Sequence, residues 1–483
     1  MKFDQSMFKE KNRLEFQDSY DAMSWVTRDQ ARAALEKRDR LLDSIFRGDG
    51  RAKWRFARTK PHTGELSPGC QLCGEGDWSC LFVNNLCNAS CFYCPSAQKN
   101  RSVPGTGNLE FNRPESYANY VNAFGIKGVS FSGGEPTLSF DRVVSLLKTL
   151  GRRSISSLYI WMYTNGILIT EDKLKVLRDQ GLDEIRFDIG AVGYNLEKVK
   201  MAIGVIPRVT VEVPAVPEDV ETLKRVVKDL DAMGVDFLNL HQLRCTGYNR
   251  EKFIRRNYTF VHGPGVAVLE TELAALEIMA HTLDQEIDLP VNYCSFIYRH
   301  QFQGAGGRRR NAMIVKKGYE DVTRTGYIRS MALGGSTDAI LGMHHRLMAA
   351  DCDPGLWQVS ETREQLLFSS EVWKHLDFSG LTLGVSYVNT RLRQTTSYRY
   401  SFQEVRLNSK YKVIIERQVE PGETTLNDEM IGHFFDRFIA EKPRANHMNN
   451  PMAGLITNPM ESKDALAEIE AHENFRYGLL DYF

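Results

Sequence analysis

Nine cysteines are the residues of this 483-residue chain best suited to chemistry. Cys70, Cys73, Cys80, Cys87, Cys91 and Cys94 fall within 25 residues, while Cys245, Cys294 and Cys352 stand apart. An odd number cannot all pair as disulfides, and clustered cysteines in an intracellular chain point to metal or redox chemistry. Cys87, Cys91 and Cys94 form C-x3-C-x2-C. Three thiolates this close in one loop can hold three corners of a cubane 4Fe–4S cluster and leave one iron open. Zinc sites want a fourth ligand and more often use C-x2-C. Cys70 and Cys73 are such a pair. With further ligands from Cys294, the preferred one, from Cys80 next, or from Cys245 or Cys352, they are candidates for a second metal site, iron–sulfur or zinc. Buried free thiols are the plain alternative.

The elements that must position these residues are legible as an alternation. Strands are predicted over 80–84, 127–131, 157–163, 183–189, 208–214 and 236–242. Amphipathic helices are predicted over 116–124, 140–150, 171–180, 194–203 and 218–233. Such alternation predicts an α/β fold, a parallel sheet with helices outside, and ligands bound at the C-terminal strand ends. The triplet follows the first strand. Gly133, Gly134, Glu135 and Pro136 follow the second, Thr164, Asn165 and Gly166 the third, and Asp188 the fourth. Val213 closes the fifth strand and His241 the sixth.

The triplet with an aromatic residue before its last cysteine, followed by Gly-Gly-Glu-Pro, resembles the radical S-adenosylmethionine (radical SAM) enzymes. Thr-Asn-Gly after strand three and His-x-Leu after strand six resemble the branch of glycyl-radical-enzyme activating enzymes. The resemblance covers about 69–250. It implies a partial (β/α)6 barrel, a 4Fe–4S cluster on Cys87, Cys91 and Cys94, and S-adenosylmethionine at the open iron. By the same resemblance Tyr93 packs near the adenine, with Val213 close by. Gly133, Gly134 and Glu135 meet the methionyl end, the glycines by letting backbone approach the ligand. Asn165, Asp188 and His241 face the ribose or carboxylate, and Thr164 is a further cofactor-binding residue. The implied chemistry is reductive cleavage to a 5′-deoxyadenosyl radical that takes hydrogen from a substrate, small molecule or protein. A one-electron donor such as flavodoxin or ferredoxin would serve it, and the centre would be oxygen-sensitive. No residue is assigned as a catalytic acid, base or nucleophile. The alternatives are an activating enzyme that makes a glycyl radical on a partner protein, and a non-catalytic metal-bound interaction module.

Three regions are expected: 1–69, a mostly helical extension packed on the barrel's outer face; 70–300, the barrel with the extra cysteines; and 301–483, an α+β accessory region. Within 251–300, a helix is predicted over 267–284 and a seventh strand over 289–294. The run 304–317, GAGGRRRNAMIVKK, reads as a glycine-hinged loop, solvated or acting as a lid whose Arg308, Arg309 and Arg310 bind an anionic group. Strands are expected over 397–402 and 411–415 and a helix over 426–440. His344 and His345 are adjacent and so do not share one helix face, which argues against a metal pair.

Composition bounds the rest. With 61 basic and 61 acidic residues and 42% hydrophobic residues, the chain is neither a long disordered protein nor a basic nucleic-acid binder. No apolar run is long enough to span a bilayer. The charged N-terminus lacks the apolar stretch of a secretory signal, so a cytoplasmic protein is expected.

Overall fold

The computed structural model describes residues 6–48, 50–100, 102–440 and 463–483. They form two compact units. One runs to Gln303 and takes in Tyr477–Phe483; the other is Gly304–Arg476.

The first unit is built on seven parallel strands: β1 (Trp78–Leu86), β2 (Gly128–Gly133), β3 (Tyr159–Thr164), β4 (Glu184–Phe187), β5 (Arg208–Pro214), β6 (Phe237–His241) and β7 (Val291–Cys294). They lie side by side in chain order, each parallel to the next. Among the described residues β1 and β7 do not pair, so the sheet is an open, partial barrel. The six predicted strands are found within two residues at every boundary, and the seventh lies inside 289–294. Helices on the outside connect them. Helix Phe140–Arg153 shows why: Val143, Leu146, Leu147 and Leu150 make one buried stripe at helical spacing. Asp141 and the pair Arg152 and Arg153 complement its dipole at either end.

The two faces of each strand differ in chemistry. On β1, Ser79, Leu81 and Val83 are buried toward the helices, where Tyr117 donates to Ser79 Oγ at 3.1 Å. Trp78, Cys80 and Phe82 point the other way, and Trp78 Nε1 donates to Ser130 Oγ on β2 at 3.0 Å. The barrel interior is polar and charged, with Glu184, Arg186, Thr210 and Asn239 all buried.

Both edges are extended. Short strands Gly105–Thr106 and Leu109–Glu110 add to β1. At the other edge a hairpin, Ala52–Arg55 with Lys60–Thr63, runs antiparallel to β7 through His62 and Asn292. This corrects the mostly helical reading of 1–69. Helices Ser6–Glu15 and Arg28–Phe46 are present, but Lys60-Pro61-His62-Thr63 carries no apolar alternation because it faces a polar interior. Helix Pro68–Glu75 then enters the barrel at the N-terminal strand ends. Its Gly69 lies so close to Arg186 that an added Cβ would fall 2.4 Å from Nη2, and its Leu72 reaches Gly128, the first residue of β2.

The second unit is α+β. Its eight-stranded sheet pairs antiparallel throughout and encloses Leu333, Leu366, Phe368 and Leu383 with Ile340 of helix Thr337–Ala349. The strand expected over 397–402 lies at Ser401–Arg406. The helix expected over 426–440 is Asp428–Phe434 with a wide turn to Ile439. The run from Gly304 is a helix, Gly304–Val315, which corrects the loop and lid readings. Burial of Ala305, Ala312 and Val315 outweighs the poor helix propensity of its glycines. Arg308 donates from Nε and Nη2 to the Thr325 carbonyl at 3.1 and 2.9 Å, and Arg309 donates to the Arg324 carbonyl. Those side chains are committed inside the unit. His344 Nδ1 accepts from Trp357 Nε1 at 3.2 Å, a packing role.

Candidate active site at the strand ends

β1 ends in Leu86, and the triplet begins at the next residue. The loop is pinned where it leaves the strand. Gly134 N–H donates to the Asn84 carbonyl at 2.9 Å and Glu135 N–H to the Leu86 carbonyl at 2.6 Å. That closeness demands glycine. Gly133 has φ +127°, and a Cβ there would lie 2.2 Å from Asn84 O; one on Gly134 would lie 1.9 Å from Leu86 O. The glycines therefore admit the backbone of β1.

Glu135 is 1% exposed and holds β2 to β3. Its Oε1 accepts from Thr137 N (3.0 Å), Thr137 Oγ1 (2.5 Å) and Thr164 Oγ1 (2.8 Å), and its Oε2 from Asn165 N (2.8 Å). Asn165 carries the chain of contacts into the cysteine loop. Its Nδ2 donates to Asn88 Oδ1 at 2.8 Å and lies 3.7 Å from Cys87 Sγ. On the far side Tyr93 donates to both carboxylate oxygens of Asp188, at 2.9 and 3.1 Å. Burial pushes Asp188 up to about 6 and raises the Tyr93 phenol too, so the pair is held as a phenol–carboxylate hydrogen bond. Asn249 Nδ2 donates to the Tyr93 carbonyl at 3.1 Å.

Cys87, Glu135, Thr164 and Asn165 are thus joined by hydrogen bonds, and Tyr93 and Asp188 by another pair, with Cys91 and Cys94 carried on the same loop. The three cysteines are free, partly exposed thiols on a single loop. Burial raises the Cys87 and Cys91 thiols, Cys91 to about 11. Metal binding would draw them to thiolates with release of protons. The donor set fits three corners of an iron–sulfur cube.

Val213 and His241 lie elsewhere. Val213 alternates with Glu212 along β5 and is buried on the opposite face from the barrel interior. His241 faces inward, but its partners are Glu212 and Arg299. Nε2–H donates to Glu212 Oε1 at 2.5 Å, and Arg299 donates to Nδ1. Glu212 also takes Arg186 Nη1 and Asn239 Nδ2, each at 2.8 Å. Arg186 in turn binds Glu184 Oε1 at 2.8 Å. Sequence reading missed Glu184, Arg186, Glu212 and Arg299. Charged residues inside otherwise apolar strands were the available signal for the first three. Cys70, Cys73 and Cys294 lie deeper, on the inserted helix and at the end of β7.

Residues 81–204 match the Radical SAM superfamily. Those residues make up a radical SAM domain. The family's enzymes use a 4Fe–4S cluster and S-adenosylmethionine. A Methanocaldococcus jannaschii protein named as a glycyl-radical enzyme activating enzyme is 27% identical over 276 residues, 55% of this chain and 72% of that protein. A Metallosphaera sedula protein named as a GTP 3′,8-cyclase is 28% identical over 216 residues, 41% of this chain and 62% of its own length. Among solved structures, Streptococcus suis SuiB matches with a TM-score of 0.31 and 14% identity, over 44% of this chain and 48% of SuiB. The radical SAM methyltransferase TsrM from Kitasatospora setae, solved with cobalamin and a 4Fe–4S cluster, matches with a TM-score of 0.27 and 20% identity, over 35% and 37%. The chain thus spans under two thirds of the cyclase and about half or less of the two solved proteins. Among the described residues no helix is long and apolar enough to cross a membrane.

Proposed function

We propose that this radical SAM chain cleaves S-adenosylmethionine and abstracts hydrogen from a substrate held at the C-terminal mouth of the barrel. The observation that carries this is the clasp on the triplet loop: Asn165 on one side and the Tyr93–Asp188 bond on the other. Cys87, Cys91 and Cys94 would hold the 4Fe–4S cluster, which supplies, when bound, one electron that splits the sulfonium bond to methionine and a 5′-deoxyadenosyl radical. The protein's part is positioning and exclusion of water. Glu135, with four donors on its carboxylate, fixes the relative placement of β2 and β3 rather than offering a free charge. The backbone edge of Gly133 and Gly134 is then the part of the motif left for the methionyl group. Tyr93 and Asp188 close the site on the ribose side, and His241, steered by Glu212, lines the interior below it.

The resemblance to a protein named as an activating enzyme favours a second reading, a glycyl radical made on a partner protein. A small one-electron protein such as flavodoxin or ferredoxin would supply the electron in either case. The test is anaerobic reconstitution followed by assay for 5′-deoxyadenosine. Release by the wild type and none by Cys91→Ala supports the proposal. A fully loaded wild type that releases none overturns it.

A further inference from the structure

The barrel interior holds chemistry that the strand-end site does not use. Cys70 and Cys73 are one turn apart on helix Pro68–Glu75, the segment inserted among the inward-facing side chains. Cys294 alternates with Tyr293 on β7. Tyr293 points outward to Glu272 of helix Leu269–Asp284 and Asn292 inward to Asn239, so Cys294 also faces inward. Cys80 is on the inward face of β1, beside Ser130 of β2. That inward placement turns it toward the helix Pro68–Glu75, which lies inside the barrel. Cys73 is within electrostatic reach of Cys70, Cys80 and Cys294.

Two further facts mark the place as built for an anionic centre. Lys60 is 1% exposed, with its ammonium 4.4 Å from the centre of the Tyr298 ring. Among the described residues no carboxylate pairs with it, whereas the equally buried Arg186 has Glu184 and Glu212. An ammonium buried without a counter-charge is strongly disfavoured, and Lys60 acts electrostatically on Cys73 and Cys294. Next, His62, 3% exposed and on the same hairpin strand, uses Nδ1 on the Gly64 carbonyl and leaves a buried Nε2 without a partner. Arg186 Nη1 lies 3.7 Å from Cys70 Sγ, and Gln303 donates to Cys73 Sγ. These donors suit a sulfur carrying negative charge.

We propose that Cys70, Cys73, Cys80 and Cys294 hold a second, thiolate-ligated metal centre in the barrel interior, with Lys60 as its counter-cation. Four protein thiolates leave no open position, so the centre would be structural or electron-transferring and would not bind substrate. Among the described residues no three His, Cys, Asp or Glu side chains stand at ligating distances as they are, the Cys87 triplet included. Both sets would close on their metal by side-chain rotation.

The test is metal and acid-labile sulfide counting on the full chain with Cys87, Cys91 and Cys94 all changed to Ala, prepared anaerobically. The expected result is retention of about one metal ion per chain or more, lost when Cys70→Ala and Cys73→Ala are added. Iron with sulfide means a cluster, and iron or zinc without sulfide means a single ion; either supports the proposal. A triple variant with no metal overturns it, as does metal that survives the added changes. If the five-fold variant does not fold, the triple variant's count decides alone. The failure of this proposal is separable from that of the strand-end assignment, because Cys70→Ala with Cys73→Ala leaves the triplet in place. That protein should keep the triplet's own iron, about four per chain.

Discussion

Tyr93 donates its phenol hydrogen to Asp188 at 2.9 Å, fastening the cysteine loop after β1 to the end of β4, three strands away. Tyr93→Phe leaves a buried carboxylate short of its donor, at a cost of about 1–3 kcal/mol. The expected outcome is a fall in both iron retention and 5′-deoxyadenosine release, while circular dichroism of the folded protein is unchanged. Unaltered iron content and release would show that the bond does not position the loop.

Glu135→Gln should destabilise the first unit. The carboxylate accepts four hydrogen bonds within 1% exposure, and an amide turns an N–H₂ toward donors. A loss of about 2–3 kcal/mol is expected in denaturant unfolding. A change below about 0.5 kcal/mol, the usual scatter of surface substitutions, would mean that Glu135 does not hold β2 to β3.

Gly134→Val separates two accounts of the glycine pair. From sequence, the glycines admit a ligand, so the variant would lose cofactor affinity and keep its cluster. The structure puts Leu86 O 1.9 Å from the added Cβ, and Leu86 precedes Cys87. The expected outcome is therefore loss of iron together with loss of cofactor binding. A variant with its full iron complement and only weakened binding would favour the sequence account.

His262 gives a pH signature away from the metal site. Burial lowers it to about 4, and it stacks on Trp25 with ring centroids 4.0 Å apart. The folded state thus excludes a proton that the unfolded chain binds below pH 6.5. Its contribution is present above that pH and is lost as pH falls through 4, a slope worth on the order of 2 kcal/mol. His262→Phe should flatten stability between pH 4 and 6.5, read from denaturant midpoints. An identical slope in the variant would rule His262 out as its source.

The parallel strands were legible because their outward faces are apolar and the helices between them amphipathic. The triplet and the turns after β2 and β3 were legible because they need particular residue types. The barrel's inner layer was not. Glu184 and Arg186 look like surface positions on β4, yet both are buried against each other. The Lys60–Thr63 strand was hidden for the same reason: its Lys60 and His62 are buried toward the polar interior of the barrel, so no apolar period marks it. Helix Gly304–Val315 was hidden by three glycines whose local cost is outweighed by tertiary burial.

The central claim is that Cys87, Cys91 and Cys94 present an open iron to S-adenosylmethionine. Its most direct test is the paramagnetic resonance spectrum of the reduced, reconstituted protein with and without S-adenosylmethionine. The account predicts a signal that changes on addition of the cofactor and is missing from the variant with all three cysteines changed to Ala. A wild-type spectrum that ignores S-adenosylmethionine, or a responsive signal that survives in that variant, would contradict it.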